Sequence, residues 1–223
     1  MKRDHRTISI ADQIFEKLEQ DILTGRYKRG DMLCEMKLSS ELGVSRTPLR
    51  EALRRLEQER IVEDKGRGII VIGISREDIL DMYEIRIKIE CIAAARAANN
   101  RTDAQLMRMK EILDLQSFYI ERNRQSQVDE NIEAIKNLDS EFHEMLYLCS
   151  GSRILEDILS EIHRKMIKYR RASIKKHSRA RQSQKEHRAI YQAIKKRDEK
   201  LAYELTSRHI ANARDSIING SDE

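Results

Sequence analysis

The sequence contains no tryptophan, a single proline and few aromatic residues, and it has no long apolar run. This composition, with its many charged residues, is typical of a helix-rich soluble protein with modest cores. No stretch approaches the roughly twenty apolar residues that cross a bilayer. No apolar run follows the basic N-terminal residues either, which argues against a signal peptide. We therefore expect a cytoplasmic protein that has no membrane-spanning segment.

Cysteine is also scarce. The three cysteines, Cys34, Cys91 and Cys149, are widely spaced and form no CxxC pair. This spacing predicts neither a disulfide framework nor a zinc-thiolate site. We expect three small, buried side chains in a reducing compartment.

The 223 residues are enough for two small domains. Apolar periodicity predicts helices over residues 10–24, 35–42 and 46–60. Two β-branched runs, 61–62 and 69–72, flank a glycine-bearing turn and predict a two-stranded wing. No other part of the chain shows strand character. The predicted fold is mainly α, with an N-terminal winged helix-turn-helix and a C-terminal all-α helical bundle.

A capping box at Ser75–Asp78 starts the second part without a long linker, which places the boundary at about residue 74. Residues 1–74 are thus predicted to form the winged helix-turn-helix domain, and residues 75–223 the all-helical domain. Helical periodicity continues from there to the C-terminus. The predicted helices of this bundle are 76–99, 102–123, 131–150, 153–173, 182–197 and 199–218.

The residues around Gly43 predict a helix, a tight turn and a second helix. Gly43 suits the turn, Ser45 is a good N-cap, and Pro48 falls in the first helical turn. Leucines at helical spacing give the second helix a buried side and leave its polar residues facing outward. The outward-facing residues are Arg46, Thr47, Arg50 and Arg54. A helix-turn-helix presents the start of its second helix to the major groove, so these residues are predicted to contact DNA.

The stretch Leu42–Leu53 closely resembles the N-terminal domain of the GntR family of bacterial transcription regulators. The resemblance continues through residues 22–25, 30–33, 56–62 and 66–71, which match the family's first helix end, following turn, recognition-helix exit and wing. It implies double-stranded DNA as a partner. It also places Gly68 at the wing tip, where the absence of a side chain lets the wing approach the DNA backbone.

Two positions depart from the family pattern. Met36 stands where relatives of the fatty-acid-responsive regulator carry a DNA-contacting arginine, just after the glutamate that matches Glu35. We expect Lys37 to substitute for that arginine. Arg60 replaces the usual glycine after the recognition helix, so the helix must end without a glycine in the left-handed conformation.

Four polar residues of the C-terminal half occupy positions where the periodicity expects apolar side chains. They are Asp139, His143, His187 and His209. A buried carboxylate needs a cation or several hydrogen-bond donors. A divalent metal would satisfy all four groups, because aspartate and histidine are ligands of zinc, nickel, manganese and iron. From spacing alone, four separately hydrogen-bonded core residues explain the pattern equally well.

The same four residues, in their sequence context, resemble the FCD ligand-binding domain of the FadR-type branch of the GntR family. The resemblance rests on the Asp139-x-x-x-His143 pair, the segment 186–194, Asp198 and His209-Ile210. Members with an aspartate and three histidines at these places bind a divalent metal, and we expect zinc before nickel, manganese or iron. The remaining histidines, His5, His163 and His177, match nothing in this pattern and are expected at the surface.

In such domains the metal helps to hold a small carboxylate, and an arginine of the first helix adds a second contact. Arg86 matches that position, and an arginine beside a metal suits a carboxylate effector. A structural salt bridge between Arg86 and Glu90 is the alternative.

Together these features predict a homodimeric regulator that binds a palindromic operator under the control of a small, metal-associated effector. A constitutive DNA-binding protein whose bundle only dimerises is the first alternative. A metal-dependent hydrolase is the second, but it gives the DNA-binding domain no role.

Overall fold

The structure, a computed structural model, describes residues 9–66, 68–126, 129–166 and 177–218. The chain forms two compact units that divide between Arg76 and Glu77. The described elements of the first unit are α1 (Ile10–Leu23), β1 (Met32–Leu33), α2 (Glu35–Leu42), α3 (Arg46–Gln58), β2 (Val62–Asp64) and β3 (Ile69–Val71). Those that follow are α4 (Arg76–Asn100), α5 (Asp103–Ser126), α6 (Asp129–Cys149), α7 (Arg153–Lys165), α8 (His177–Lys195) and α9 (Glu199–Ile218).

The first unit begins with a helix whose start is specified locally. The Ser9 hydroxyl accepts a hydrogen bond from the Asp12 amide, and the Asp12 carboxylate accepts one from the Ser9 amide. This capping box satisfies two amides that the first helical turn leaves without partners. The apolar face of α1 then packs with α2, α3 and the sheet around Leu18, Leu49 and Leu56.

The wing belongs to a three-stranded antiparallel sheet with the order β1-β3-β2. The predicted mainly α fold with a wing is confirmed, but the third strand was not predicted. Met32 pairs with Ile70, and Leu33 pairs with Ile69. A strand of two residues is too short to show an alternating pattern in the sequence, and it forms because β3, beyond the recognition helix, supplies its partner. β2 also starts one residue later than predicted.

Neither end of the recognition helix α3 is capped in the predicted way. Ser45 occupies the predicted N-cap position, but its side chain makes no capping hydrogen bond. At the other end, Arg60 itself takes the left-handed conformation, with a φ angle of 57°. The Ile61 amide then donates to the Leu56 carbonyl, and the Arg60 amide donates to the Glu57 carbonyl. This pair of bonds is a Schellman motif, which usually has glycine at the position of Arg60.

The bundle helices agree with the predicted pattern except near two gaps. α5 ends at Ser126 instead of residue 123, α6 begins at Asp129 instead of residue 131, and α8 begins at His177 instead of residue 182. α7 was predicted to reach residue 173 but ends at Lys165, and residues 167–176 lie outside the described part of the chain. The break at 197–198 is as predicted, with Arg197 in the left-handed conformation.

The bundle core is apolar on most of its inward faces. Phe142, Leu146, Ile190 and Ile194 are fully buried there together with an alanine-rich face of α4. Two cysteines are buried as expected, whereas Cys34 is exposed. Among the helices of the described residues, none is both long enough and apolar enough to span a membrane.

We expect Arg60→Gly to stabilise the first unit by about 0.5–1 kcal/mol, because the left-handed conformation is costly for a residue with a Cβ atom and free for glycine. The entropy of glycine in the unfolded chain offsets part of this gain. Urea denaturation of the full chain measures the effect through the transition of the first unit.

Gly43→Ala is the matched control. Gly43 also ends a helix in the left-handed conformation, and a Cβ atom there would meet no atom within 4 Å. The alanine should therefore destabilise the unit through the backbone alone. A loss of stability in Arg60→Gly would contradict the prediction.

Candidate metal centre and nucleic-acid interface

The helix-turn-helix presents one polar face of α3. Its opposite face, with Leu49, Ala52, Leu53 and Leu56, is buried in the core of the first unit. The Ser39 hydroxyl donates a 2.6 Å hydrogen bond to the Val44 carbonyl and so ties the turn to α2. The four predicted DNA contacts on α3 are all exposed: Arg46, Thr47, Arg50 and Arg54.

Arg50 is oriented by a carboxylate that the sequence analysis did not include in the site. Its Nε atom lies 2.9 and 3.1 Å from the two carboxylate oxygens of Glu35, the first residue of α2. This ion pair is exposed, so it orients the guanidinium more than it stabilises the fold. Lys37, on the same helix, has a side chain that is 76% exposed and lies 3.9 Å from Glu41.

The wing tip favours glycine because Gly68 has a φ angle of 153°, a conformation that residues with a Cβ atom rarely adopt. A Cβ atom at Gly68 would lie 3.0 Å from the sulfur atom of Met32, which packs over it from β1. The Gly68 carbonyl accepts a hydrogen bond from the Lys65 amide across the turn. Strand β1, which the sequence did not predict, therefore places Met32 against the wing tip, and Gly68 leaves room for the Met32 side chain.

Three of the four predicted metal ligands meet in the bundle core. The imidazoles of His143 on α6, His187 on α8 and His209 on α9 are all buried. The Nε2 atom of His209 lies 3.1 Å from Nε2 of His187 and 3.4 Å from Nε2 of His143. Three helices, α6, α8 and α9, thus bring three nitrogen atoms together.

Two of these rings are held from behind by carboxylates. Nδ1 of His143 lies 2.5 Å from a carboxylate oxygen of Glu90, and Nδ1 of His209 lies 2.7 Å from one of Glu186. A carboxylate accepts a hydrogen bond from Nδ1–H, which favours the tautomer that has its lone pair on Nε2. Histidines that bind metals commonly have such a partner, which fixes the tautomer and the ring orientation.

The three histidines fit one metal ion. With their Nδ1 protons facing carboxylates, the Nε2 lone pairs of His143 and His209 repel each other unless a cation or a further proton lies between them. Two nitrogen atoms bound to one zinc at about 2.0–2.1 Å are roughly 2.9–3.4 Å apart for bond angles of about 90–110°. The observed separations of 3.1 and 3.4 Å lie in this range.

Asp139 lies beside the three histidines and not among their closest nitrogen atoms. Its Oδ1 atom is 3.8 Å from Nε2 of His187 and accepts a 3.2 Å hydrogen bond from the Ser183 hydroxyl. The carboxylate is buried. In its ionised form it would add a negative charge next to the nitrogen atoms, which a metal cation would offset.

Arg86 forms the salt bridge that the sequence left open as an alternative. Its Nε atom donates a 2.9 Å hydrogen bond to Glu90, and both side chains are fully buried. Burial by itself would lower the pKa of Arg86, but the Glu90 carboxylate raises it, so the guanidinium is a cation. Its Nη1 atom is also buried and has no hydrogen-bond partner among the described residues.

The expectation that His163 lies at the surface is wrong. Its side chain on α7 is only 4% exposed, and its ring centre is 5.7 Å from that of His143. His163 continues the stripe of Leu155 and Leu159 at four-residue spacing, which was the available signal. His5 and the side chain of His177 lie outside the described residues.

Glu186 was also missed. Arg179 and Asn212 donate hydrogen bonds of 3.1 and 2.8 Å to its two oxygens. Burial by itself would raise the pKa of Glu186, but hydrogen bonding and charge from His209, with the charge of Arg179, lower it to about 2. The group behind His209 is therefore a carboxylate anion at neutral pH.

Two family models match successive parts of the chain. Residues 10–72 match the family described as bacterial regulatory proteins, gntR family, and residues 81–212 match the FCD domain. The helix-turn-helix and wing lie in the first match, and the three histidines lie in the second.

Individual relatives cover nearly the whole chain. A Bacillus subtilis protein named as the uncharacterized HTH-type transcriptional regulator YdhC is 27% identical, over 88% of this chain and 86% of its own. The Escherichia coli HTH-type transcriptional repressor RspR is 28% identical, over 95% and 90%. The solved structure of E. coli McbR/YncC has a TM-score of 0.76 at 21% identity, over 96% and 99%, and so shares the fold.

We expect Glu186→Gln to lower the stability of the second unit by about 3 kcal/mol at pH 7 in the presence of a chelator. The folded-state pKa is depressed from its ordinary value of 4.5 to about 2. The contribution is therefore fully present above pH 4.5 and is lost as the pH falls toward 2. The difference in melting temperature between the parent protein and the variant, taken from pH 7 to pH 3, measures this contribution.

Glu121→Gln is the matched control, since Glu121 forms an exposed ion pair with Arg181 at 3.6 Å. This variant should melt like the parent at every pH. A deficit in Glu186→Gln that stays constant down to pH 3 would show that the charge of Glu186 is not its cause.

Proposed function

This chain belongs to the gntR family of bacterial regulatory proteins and carries an FCD domain, and on this premise we propose that an effector bound beside a metal ion controls its binding to an operator. GntR regulators bind DNA, and FCD domains bind small molecules. Residues 1–74 would bind DNA, and residues 75–223 would bind the effector and form the dimer. A regulator that acts on the bacterial chromosome works in the cytoplasm.

The exposed start of α3 supports the proposed contacts with DNA. Arg46, Thr47 and Arg50 occupy its first two turns, which is the part of a recognition helix that meets base edges. Arg54 lies one turn further along the same face. Lys37 and the wing tip at Gly68 would contact the phosphate backbone. An arginine that binds one guanine through two hydrogen bonds contributes about 1–3 kcal/mol of discrimination.

A homodimer would place two such helices on the half-sites of a palindrome, about one helical turn apart. The exposed face of α4 supports association through the bundle. Ile85 and Ile92, two helical turns apart, are 41% and 42% exposed. Apolar side chains in such a row are typical of surfaces that a partner covers.

The convergence of three Nε2 atoms is the observation that carries the proposed metal site. His143, His187 and His209 would hold the ion, and Asp139 would complete the set or offset its charge. We propose zinc first, with nickel, manganese or iron as alternatives for this ligand set. The bound ion would supply a positive charge for the carboxylate of an organic effector, and Arg86 would add a second contact.

The effector acts by favouring the DNA-binding or the DNA-free form. A tenfold change in operator affinity requires a preference of about 1.4 kcal/mol. The named relatives are transcription regulators rather than enzymes, and RspR is named a repressor. We propose repression for this chain too. A constitutive DNA-binding protein would not need a metal-compatible centre in its core.

Arg46→Ala and Arg50→Ala should each weaken operator binding at least tenfold, because each removes a positively charged donor from the recognition face. The operator can be recovered by selection from a random-sequence DNA library with the purified dimer. Fluorescence anisotropy at several salt concentrations then measures affinity.

Arg153→Ala is the matched control for net charge, since Arg153 is 93% exposed on the bundle. It should bind the operator like the parent. Parental affinity and salt dependence in both α3 variants would refute the proposed interface.

The double variant His187→Ala, His209→Ala should lose its metal, because two of three converging nitrogen atoms are removed. Elemental analysis of the purified protein and its melting shift with added zinc measure this. Leu205→Ala, which removes packing one turn before His209 on α9, controls for the loss of volume. Metal content equal to that of the parent in the double variant would defeat the proposed site.

A further inference from the structure

Two arginines on the exposed face of α3 differ in their surroundings. Arg50 and Arg54 lie one helical turn apart, and both are exposed. The Nε atom of Arg50 lies 2.9 and 3.1 Å from the two oxygens of Glu35, whereas Arg54 contacts no carboxylate among the residues that the structure describes. A carboxylate on a surface that meets DNA opposes binding, because DNA is a polyanion. The contribution of Glu35 is therefore not to affinity.

The ion pair contributes little to the fold either. The side chains of Arg50 and Glu35 are 59% and 32% exposed, and exposed pairs of this kind stabilise a protein only weakly. We infer that the effect of Glu35 is on what the guanidinium of Arg50 can bind.

Glu35 occupies one donor of Arg50 and leaves the others available. The contact uses the N–H group on Nε, and Nη1 and Nη2 have no hydrogen-bond partner among the described residues. The N–H groups of these two atoms can bind O6 and N7 of guanine together. They can equally bind two oxygens of a phosphate. The arginine alone does not decide between the two partners.

The charge around Arg50 favours a base over a phosphate. An open pocket of about 240 Å³ lies between α3 and the strands β2 and β3. Asp64 accepts a 2.7 Å hydrogen bond from the Gly66 amide, and Glu57 accepts a 3.1 Å bond from the Asp64 amide, which hold both carboxylates at the pocket. A phosphate at Arg50 would be repelled by the carboxylates, whereas the edge of a guanine is neutral. The charged residues that line the pocket are Glu35, Arg50, Arg54, Glu57 and Asp64.

We propose that Glu35 determines the specificity of DNA binding by positioning Arg50 for the edge of a guanine and keeping it from the phosphate backbone. This inference rests on the proposed function, since it takes Arg50 to the DNA. Its consequence is that Glu35 weakens binding to unrelated DNA more than binding to the operator.

Glu35→Gln tests this role, because it removes the charge and keeps the size of the side chain. Fluorescence anisotropy of the full chain with the selected operator and with an unrelated duplex of equal length gives both affinities. The ratio of operator affinity to unrelated affinity should fall at least fivefold. With unrelated DNA, the plot of log affinity against log salt concentration should become steeper by about 0.9, which corresponds to one further phosphate contact. The melting temperature should stay parental, since the ion pair is exposed.

Glu51→Gln is the matched control for net charge. Glu51 is exposed on the same helix, next to Arg50 in the sequence, and contacts no cation among the described residues. Its substitution should change both affinities by the same factor and so keep the parental ratio. A fall of the ratio in Glu35→Gln no larger than that in Glu51→Gln would overturn the proposal, because net charge would then explain it.

Two further backgrounds show whether Glu35 acts through Arg50. In Arg50→Ala, the additional change Glu35→Gln should leave the affinity ratio unaltered, whereas in Arg54→Ala it should lower the ratio as in the parent. An equal fall in both backgrounds overturns the proposal.

The single variant Arg50→Ala separates this inference from the one beneath it. Parental operator affinity in Arg50→Ala would refute the contact of Arg50 in the proposed function. Weakened operator binding in Arg50→Ala, together with a parental ratio in Glu35→Gln, would refute the role of Glu35 alone.

Discussion

The second unit depends on the compensation of charge inside an apolar core. Glu90, which is fully buried, and Glu186, which is 16% exposed, lie behind two of the three central histidines, and each is paired with an arginine from its own helix. Breaking one such pair would leave an isolated buried charge, which destabilises a fold far more than the loss of an exposed pair. The helices α4, α6, α8 and α9 are therefore held in register by a set of polar contacts that tolerates little change. The surrounding leucine and alanine side chains exclude water but would allow several helix positions.

Much of the fold could be predicted because it rests on local patterns. Helical periodicity located the bundle helices, and Gly43 with Pro48 located the turn before α3. The strand at Met32–Leu33 was missed because its stability comes from pairing with β3, which no local pattern reports. The left-handed conformation of Arg60 was not predicted. The sequence showed only that the glycine usual at this position is missing. Leu56 and Ile61, the two residues joined by one of the Schellman hydrogen bonds, are both buried. We infer that their burial, more than the local sequence, fixes this helix end.

The candidate site was predicted less completely. Periodicity placed His143, His187 and His209 on inward faces, since apolar residues recur on the same stripes, but only tertiary structure brings the three Nε2 atoms together. His163 lay on such a stripe as well and was set aside because it matched no motif. Glu186 stands beside a predicted ligand in sequence but points to another helix. Single-sequence analysis finds which residues turn inward, and it cannot find which of them meet.

The position of Glu90 between His143 and Arg86 links the candidate metal centre to the proposed effector contact. One carboxylate oxygen faces His143 and the other faces Arg86, so a single side chain bridges the two halves of the interior. A change in the hydrogen bond to one Glu90 oxygen would therefore alter the strength of the hydrogen bond to the other. The occupancy of the metal site and that of the effector site would then be coupled, and linkage requires that each change the affinity for the other by the same factor. Under the proposed function, starvation for the metal would then weaken the response to the effector, even when the effector is abundant.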